Sequence, residues 1–226
     1  MTCYAIATIK PWNLAAFHRR APRLPGEWLL IERPEELTAE RLRQKPVRYV
    51  FFPHWSWRVP AEVLAAAECV CFHMADVPYG RGGSPLQNLI ARGHRATVMS
   101  ALRMVEELDA GPVYLKRPLD LGGRAQDIFR RAAELTWDMI AEIAAGEPLP
   151  LPQQGEPVVF PRRTPEQSRL PGEGDAQALY DHIRMLDADT YPRAFLEHGA
   201  FRLEFTEARC EGDAVIATVT IRRPPS

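Results

Sequence analysis

The 226-residue chain, 46% hydrophobic and 25% charged, has enough material for one full domain and a smaller appendage. Its 28 Lys and Arg against 29 Asp and Glu leave a formal charge of −1, which gives no electrostatic footprint for nucleic acid. No basic leader precedes a long apolar run and no stretch reaches about 18 apolar residues, so neither a signal peptide nor a membrane span is expected.

Cys3, Cys69, Cys71 and Cys210 are scattered, and Cys69-Val70-Cys71 lacks the two-residue spacer of common zinc or redox pairs. Reduced thiols in a cytoplasmic protein with no metal site are the expectation.

Short apolar runs alternate with helical patterns through the first 145 residues. Residues 4–9, 28–31, Val47–Phe52 and 68–72 read as strands, with a helix seeded by Pro60 ahead of the fourth. Residues 84–92 and 125–145 show helical periodicity, the second ending at Gly146 and a proline-rich exit. Such alternation predicts an α/β layer with a largely parallel sheet, whose sites form beyond the carboxyl ends of the strands. Residues 147–174 are rich in proline and read as a stiff connecting arm. Beyond it come a helix over 175–186, a turn at Tyr191-Pro192, and two β-rich runs at 201–205 and 214–221 around Glu211-Gly212-Asp213. The expected organisation is a catalytic domain over 1–146, the arm over 147–174, and a small β-rich domain over 175–226.

The segment from Cys71 to Gly111 carries the chemistry. His73 ends an apolar run, ahead of a loop with Pro78, Gly80, Gly82 and Gly83, where α/β proteins place reactive groups. Asp109 precedes Ala110-Gly111-Pro112, another tight turn. An acid facing an imidazole orients it and stabilises its protonated form, and amine acylation needs such a proton acceptor. From spacing alone the alternative stands that His73 is a satisfied structural histidine and Asp109 a turn former.

His73, Pro78, Arg81, Gly82, Pro85, Asp109 and Gly111 follow in the order of the family pattern Asn-x-His, Leu-Pro-x-x-Arg-Gly-x-x-Pro and Asp-x-Gly. On those residues the chain resembles the folate-dependent formyltransferase superfamily, which includes glycinamide ribonucleotide, methionyl-tRNA and nucleotide-sugar N-formyltransferases. The likeness covers roughly residues 45–145. The tail, from Ile183-Arg184-Met185-Leu186-Asp187 through Ala194-Phe195, resembles the small OB-like C-terminal β domain of the methionyl-tRNA and sugar-modifying branches. The resemblance implies a Rossmann-like catalytic domain that uses 10-formyltetrahydrofolate as co-substrate. His73 then matches the family histidine and Asp109 the acid that shuttles protons. Trp55, Ser56, Trp57, Arg58 and Val59 fall at the pterin-contacting position, with Val105, Glu106 and Glu107 opposite. Met74, Arg81, Gly82, Gly83 and Ser84 fall where the acceptor is held. Ordinary core packing is the competing reading for Trp55 and Trp57, and bracing of the loop for Arg81.

The departure is Cys71, where the family has asparagine. An amide is a good donor to a formyl oxygen and a thiol is a weak one. Cys71 is read as a modest substitute, as the mark of a diverged enzyme, as a nucleophile carrying formyl as a thioester, or as the sign of an inactive binding module. His73-Met74-Ala75-Asp76 also lacks the family's Pro-Ser after the histidine.

The expected function is transfer of a formyl group to the amine of a small molecule, foremost a nucleotide-linked amino sugar for surface glycans. The near-neutral charge and short chain count against tRNA. A formyl-tetrahydrofolate hydrolase, a diverged methionyl-tRNA formyltransferase-like enzyme and a non-catalytic folate- or nucleotide-binding module are the alternatives. A homodimer is left open.

Overall fold

The computed structural model describes residues 1–223. In chain order the elements are β1 (Cys3–Ala7), α1 (Pro11–Arg20), β2 (Glu27–Ile31), α2 (Ala39–Gln44), β3 (Val47–Phe52), α3 (Ala61–Ala66), β4 (Glu68–His73), β5 (Tyr79–Gly82) and α4 (Pro85–Ala91). There follow β6 (Ala96–Arg103), β7 (Val113–Asp120), α5 (Ala125–Gly146), β8 (Val158–Phe160), α6 (Ala176–Arg184), β9 (Ala194–His198), β10 (Phe201–Glu211) and β11 (Ala214–Arg222). Two compact units are assembled from these. One takes residues 1–82, 97–119 and 130–159; the other takes 83–96, 120–129 and 160 to the end of the described residues.

The first unit is built on a six-stranded sheet in the order β2-β1-β3-β4-β6-β7. The first four strands run parallel, and β6 is antiparallel to β4. In β1 the alternation is visible residue by residue. Ala5 and Ala7 join Val50, Phe52, Leu42 and Val63 in one apolar cluster. Tyr4, one residue out of phase, stacks on Trp28 at 4.6 Å between ring centroids, and Trp28 lies 6.1 Å from Trp137 of α5. With both faces covered, β3 and β4 read as nearly continuous apolar runs, as expected for a parallel sheet. At the start of β4 Glu68 accepts from Arg48 at 2.6 Å and from Arg103 at 2.6 Å, with the Tyr114 hydroxyl as a further donor.

The second unit holds α4, α6 and a three-stranded antiparallel sheet in the order β11-β10-β9. Asp175 caps α6 by accepting from the Ala178 N–H at 2.8 Å. Arg184 is buried and is satisfied by Asp181, at 2.5 Å, and by the Leu121 and Gly123 carbonyls.

Several elements differ from the sequence reading. The first strand stops at Ala7 rather than residue 9, because Lys10-Pro11 opens α1 with proline at its first turn. Helix α1 itself has an apolar stripe too broken by Asn13, His18, Arg19 and Arg20 to be read. Three strands, not two, form the tail: β9 is AFLEH, half of it exposed and without period-two patterning. The stretch 147–174 carries β8 and a 3-10 turn at Pro165–Ser168 closed by a Thr164–Gln167 capping box. Among the described residues no helix is long and apolar enough to cross a membrane.

Candidate active site

His73 is the last residue of β4 and is 7% exposed. The antiparallel ladder sets Ser100 of β6 opposite it, and the Ser100 hydroxyl donates to the Ala75 carbonyl at 2.8 Å, tying down the chain that leaves the strand. Nε2 of His73 lies 2.6 Å from the Gly80 carbonyl oxygen. A carbonyl can only accept, so Nε2 carries a proton and donates it there. The nitrogen left to gain or lose a proton is Nδ1, and it stands 3.5 Å from Oδ2 of Asp109. That separation is longer than a good hydrogen bond. Nδ1 thus faces the carboxylate without a tight hydrogen bond to it.

Asp109 sits in a tight turn with φ of +54°, a left-handed conformation in which Asp is tolerated and most side chains are not. Its Oδ2 accepts from the Gly82 N–H at 2.9 Å, and Gly82 can aim that N–H because it adopts φ of +98°. Gly111 closes the turn against β6 so tightly that a Cβ there would stand 1.8 Å from the Arg103 carbonyl oxygen. One side chain from the proline-rich stretch clamps the assembly. Nε2 of Gln153 donates to the carbonyls of Asp109 and Gly111 at 2.7 and 2.8 Å. Its Oε1 accepts from Nε and Nη2 of Arg81 at 3.0 and 2.9 Å. Arg81 also reaches Glu107 at 3.3 Å. Arg81 thus braces the loop.

Cys71 lies two residues before His73 on the same face of β4, opposite Phe52 in the parallel ladder. It packs on the same apolar cluster as Trp55 and Met104. Burial, and then the negative charge of Asp109, push its thiol well above the usual cysteine range. At neutral pH the sulfur is therefore a protonated, weak donor.

The remaining candidates separate into groups. Trp55 is half-buried with its ring 5.0 Å from that of Trp57 and 6.0 Å from Phe52, and its indole Nε1 is buried with no hydrogen-bond partner among the described residues. Trp57 and Val105 are 45% and 40% exposed. Ser56, Arg58, Glu106 and Glu107 are exposed, and Met74 is half-buried. Val59 is 5% exposed and belongs to the core cluster, so packing accounts for its side chain. Gly83 and Ser84 belong to the second unit. There the Gly83 N–H donates to the Phe160 carbonyl at 3.0 Å, and the Ser84 hydroxyl oxygen accepts from the Arg163 N–H at 3.1 Å. Gln153 and the Gly80 carbonyl are the contributors that sequence reading did not single out. Gly80 was within the motif, but Gln153 carries no motif signal.

A family model for the C-terminal domain of methionyl-tRNA formyltransferase matches residues 165–222. A methionyl-tRNA formyltransferase of Sinorhizobium medicae is 34% identical over 149 residues, covering 62% of this chain and 47% of its own length. The chain thus spans about half the length of that curated relative. A solved structure described as methionyl-tRNA formyltransferase from Clostridium thermocellum is 42% identical, with a TM-score of 0.96, covering 99% of this chain and 100% of that one. HypX from Aquifex aeolicus in complex with tetrahydrofolic acid superposes with a TM-score of 0.74 at 19% identity, covering 92% of this chain and 38% of that one, a likeness of fold.

Proposed function

The chain belongs to the folate-dependent formyltransferase superfamily, and from that premise we propose that it moves a formyl group from 10-formyltetrahydrofolate to the amine of an acceptor. The observation that carries this reading is the His73–Asp109 pair, with the imidazole proton fixed on Nε2 by the Gly80 carbonyl and Nδ1 facing the carboxylate.

The residues near Cys71 fit a reduced pterin. The indole N–H of Trp55 is buried and lacks an acceptor among the described residues, while Trp57 and Val105 offer exposed apolar surface. A pterin brings acceptor atoms on its edge and a flat face for such a wall. When bound, the co-substrate supplies the activated formyl group. His73 would take on Nδ1 the proton released as the amine attacks, Asp109 would stabilise the resulting imidazolium, and that proton would pass to the folate nitrogen as its bond to the formyl carbon breaks. Asp109 keeps its place through the Gly82 N–H and the Gln153 clamp. Cys71 stays a thiol and donates weakly toward the carbonyl oxygen, where the family's asparagine would donate strongly. Its raised pKa supports the donor role over the thioester carrier.

For the acceptor, we infer a small amine-bearing molecule, a nucleotide-linked amino sugar foremost, and place the reaction in the cytoplasm. The balance of 28 basic and 29 acidic residues supports this, since tRNA binding draws on phosphate contacts by Lys and Arg. The second reading, methionyl-tRNA, rests on what the relatives are called. Incubation with 10-formyltetrahydrofolate and either a panel of nucleotide-linked amino sugars or charged initiator tRNA separates the two. Formylated sugar supports the first reading, formylmethionyl-tRNA the second, and acceptor-independent formate release would show a hydrolase instead.

A further inference from the structure

The face of the C-terminal sheet beneath α6 is only half covered. Along β11, Val215 and Ala217 are partly buried while Ile216 and Thr218 are exposed, the alternation of a strand covered on one face. The pattern then stops. Val219 and Ile221 continue the covered face yet are 42% and 61% exposed. The ladder sets Ile221 beside Leu203 and Leu196, and Val219 beside Phe205, with Phe201 on the same side. Leu196 and Phe201 are themselves 39% and 45% exposed. Element lengths explain the gap. A helix of 9 residues spans about 14 Å, whereas a strand of 9 residues spans about 30 Å, so α6 reaches over at most half of β11.

β11 is also an edge strand, with β10 on one side. Its nine residues AVIATVTIR carry no proline and no charge before Arg222, so it lacks the usual devices that keep edges from pairing. The charges flanking it are of opposite sign: Glu211 and Asp213 before it, Arg222 and Arg223 at its end. We propose that a second copy of this chain docks here, β11 against β11 antiparallel about a two-fold axis at Thr218, joining the two three-stranded sheets into one of six strands.

This register is selected by chemistry at each position. Pairing about Thr218 sets Asp213 opposite Arg223 of the second copy, at both ends by symmetry. Ile221 falls opposite Val215 of the second copy and Val219 opposite its Ala217. The axis stands perpendicular to the sheet, so both α6 helices lie on one face. The second copy's α6, which covers its own Val215, then lies beside the Ile221 and Val219 that this copy leaves open. Parallel pairing would set Asp213 against Asp213 and Arg222 against Arg222. A slip by one residue turns the second copy's helix to the opposite face, and a slip of the axis to Ala217 sets Ile221 against Asp213.

The test is sedimentation of the full chain across a concentration series, with circular dichroism melts to establish folding. The unaltered chain is expected to be a dimer. Val219→Lys is expected to give a folded monomer. Asp213→Arg should weaken the dimer on the order of tenfold, and adding Arg223→Asp should restore it, because each reversed acid then meets a reversed base. Thr218→Cys in a Cys210→Ser background should cross-link to a covalent dimer on mild oxidation, since directly opposed Cβ atoms in an antiparallel pair lie about 4.5–5.5 Å apart. Ile216→Cys should not. If Val219→Lys fails to fold, the charge-reversal pair and the cross-link decide. A monomer at every concentration overturns the proposal. So does a dimer that is indifferent to charge reversal and does not cross-link through Thr218→Cys.

Discussion

Gln153→Leu isolates the role of the clamp behind the candidate acid. The substitution removes two hydrogen bonds to the carbonyls of Asp109 and Gly111, and two from the Arg81 guanidinium. The freed carbonyls belong to a turn that is not deeply buried at Asp109, so water replaces part of what is lost. A net cost of about 1–2 kcal/mol of stability follows, near the usual worth of one or two such bonds. The catalytic cost should be larger. Asp109 holds φ of +54°, a conformation that relaxes once its carbonyl is released, and a displacement of about 1 Å at a positioning group costs roughly 10²-fold in rate. Turnover of formyl-folate with a competent amine should therefore fall about 10- to 100-fold while the protein remains folded. Gln153→Glu refines the test. Glutamate can still accept from Arg81, but it has nothing to donate to the two carbonyls. It should lose as much turnover as Gln153→Leu if the clamp on the turn matters, and little if the Arg81 contact matters. A folded Gln153→Leu variant with turnover within about twofold of the parent would refute the clamp.

Three further outcomes are expected. His73→Asn and Asp109→Asn should each cut kcat by about 10²–10⁴-fold with little change in melting temperature, and a folded variant of near-parent rate would remove that residue from the mechanism. Cys71→Asn should keep or raise the transfer rate, Cys71→Ala should retain part of it, and thiol-alkylating reagents at neutral pH should modify Cys71 slowly; loss of all transfer in both variants would point to a covalent carrier instead. In acid, two groups should erode stability together. Burial pushes Glu68 up, but the Tyr114 hydroxyl and then Arg48 and Arg103 outweigh it and hold the carboxyl down to about 2. Burial, and then Lys10, push His54 down to about 3. Both are depressed in the folded state, so their contributions are complete above the unfolded values and are lost as pH falls. The loss for His54 begins near pH 6.5, and for Glu68 near 4.5, up to about 3 kcal/mol in the latter case. Glu68→Gln should flatten the dependence between about pH 4.5 and 2, as read from urea midpoints, and an unchanged slope would contradict the assignment.

Much of the candidate site's geometry was legible because it is local. His73, Gly82 and Asp109 lie in motif segments where strand ends, glycines and turns leave marks in the sequence, and the resemblance rested on them. The third strand, Val47–Phe52, was read to the residue because a buried parallel strand is a continuous apolar run bounded here by Pro53. What the sequence hid was of two kinds. Helix α1 and strand β9 are short and carry polar residues on faces that tertiary contacts, not periodicity, decide. Gln153 acts across a separation of 44 residues from Asp109, and nothing local marks a glutamine in a proline-rich stretch as a clamp. Val59 is a different case. It sits in a segment matched to pterin contacts, yet its side chain is spent on the core, since a position carried over from a family fixes the backbone more firmly than the side chain's partners. The number of strands in the tail was likewise beyond reach, because half-exposed strands there lack clean alternation.

The proposed transfer of formyl through His73 and Asp109 can be followed directly. Its most direct measurement follows the isotopically labelled formyl carbon of 10-formyltetrahydrofolate by nuclear magnetic resonance, with a panel of primary amines, for the parent chain and for His73→Asn. Label is expected in an N-formyl product that depends on the added amine, with a rate about 10²–10⁴-fold lower in the variant. Label that stays on the folate with every amine, or equal rates in the parent and His73→Asn, would contradict the proposed transfer.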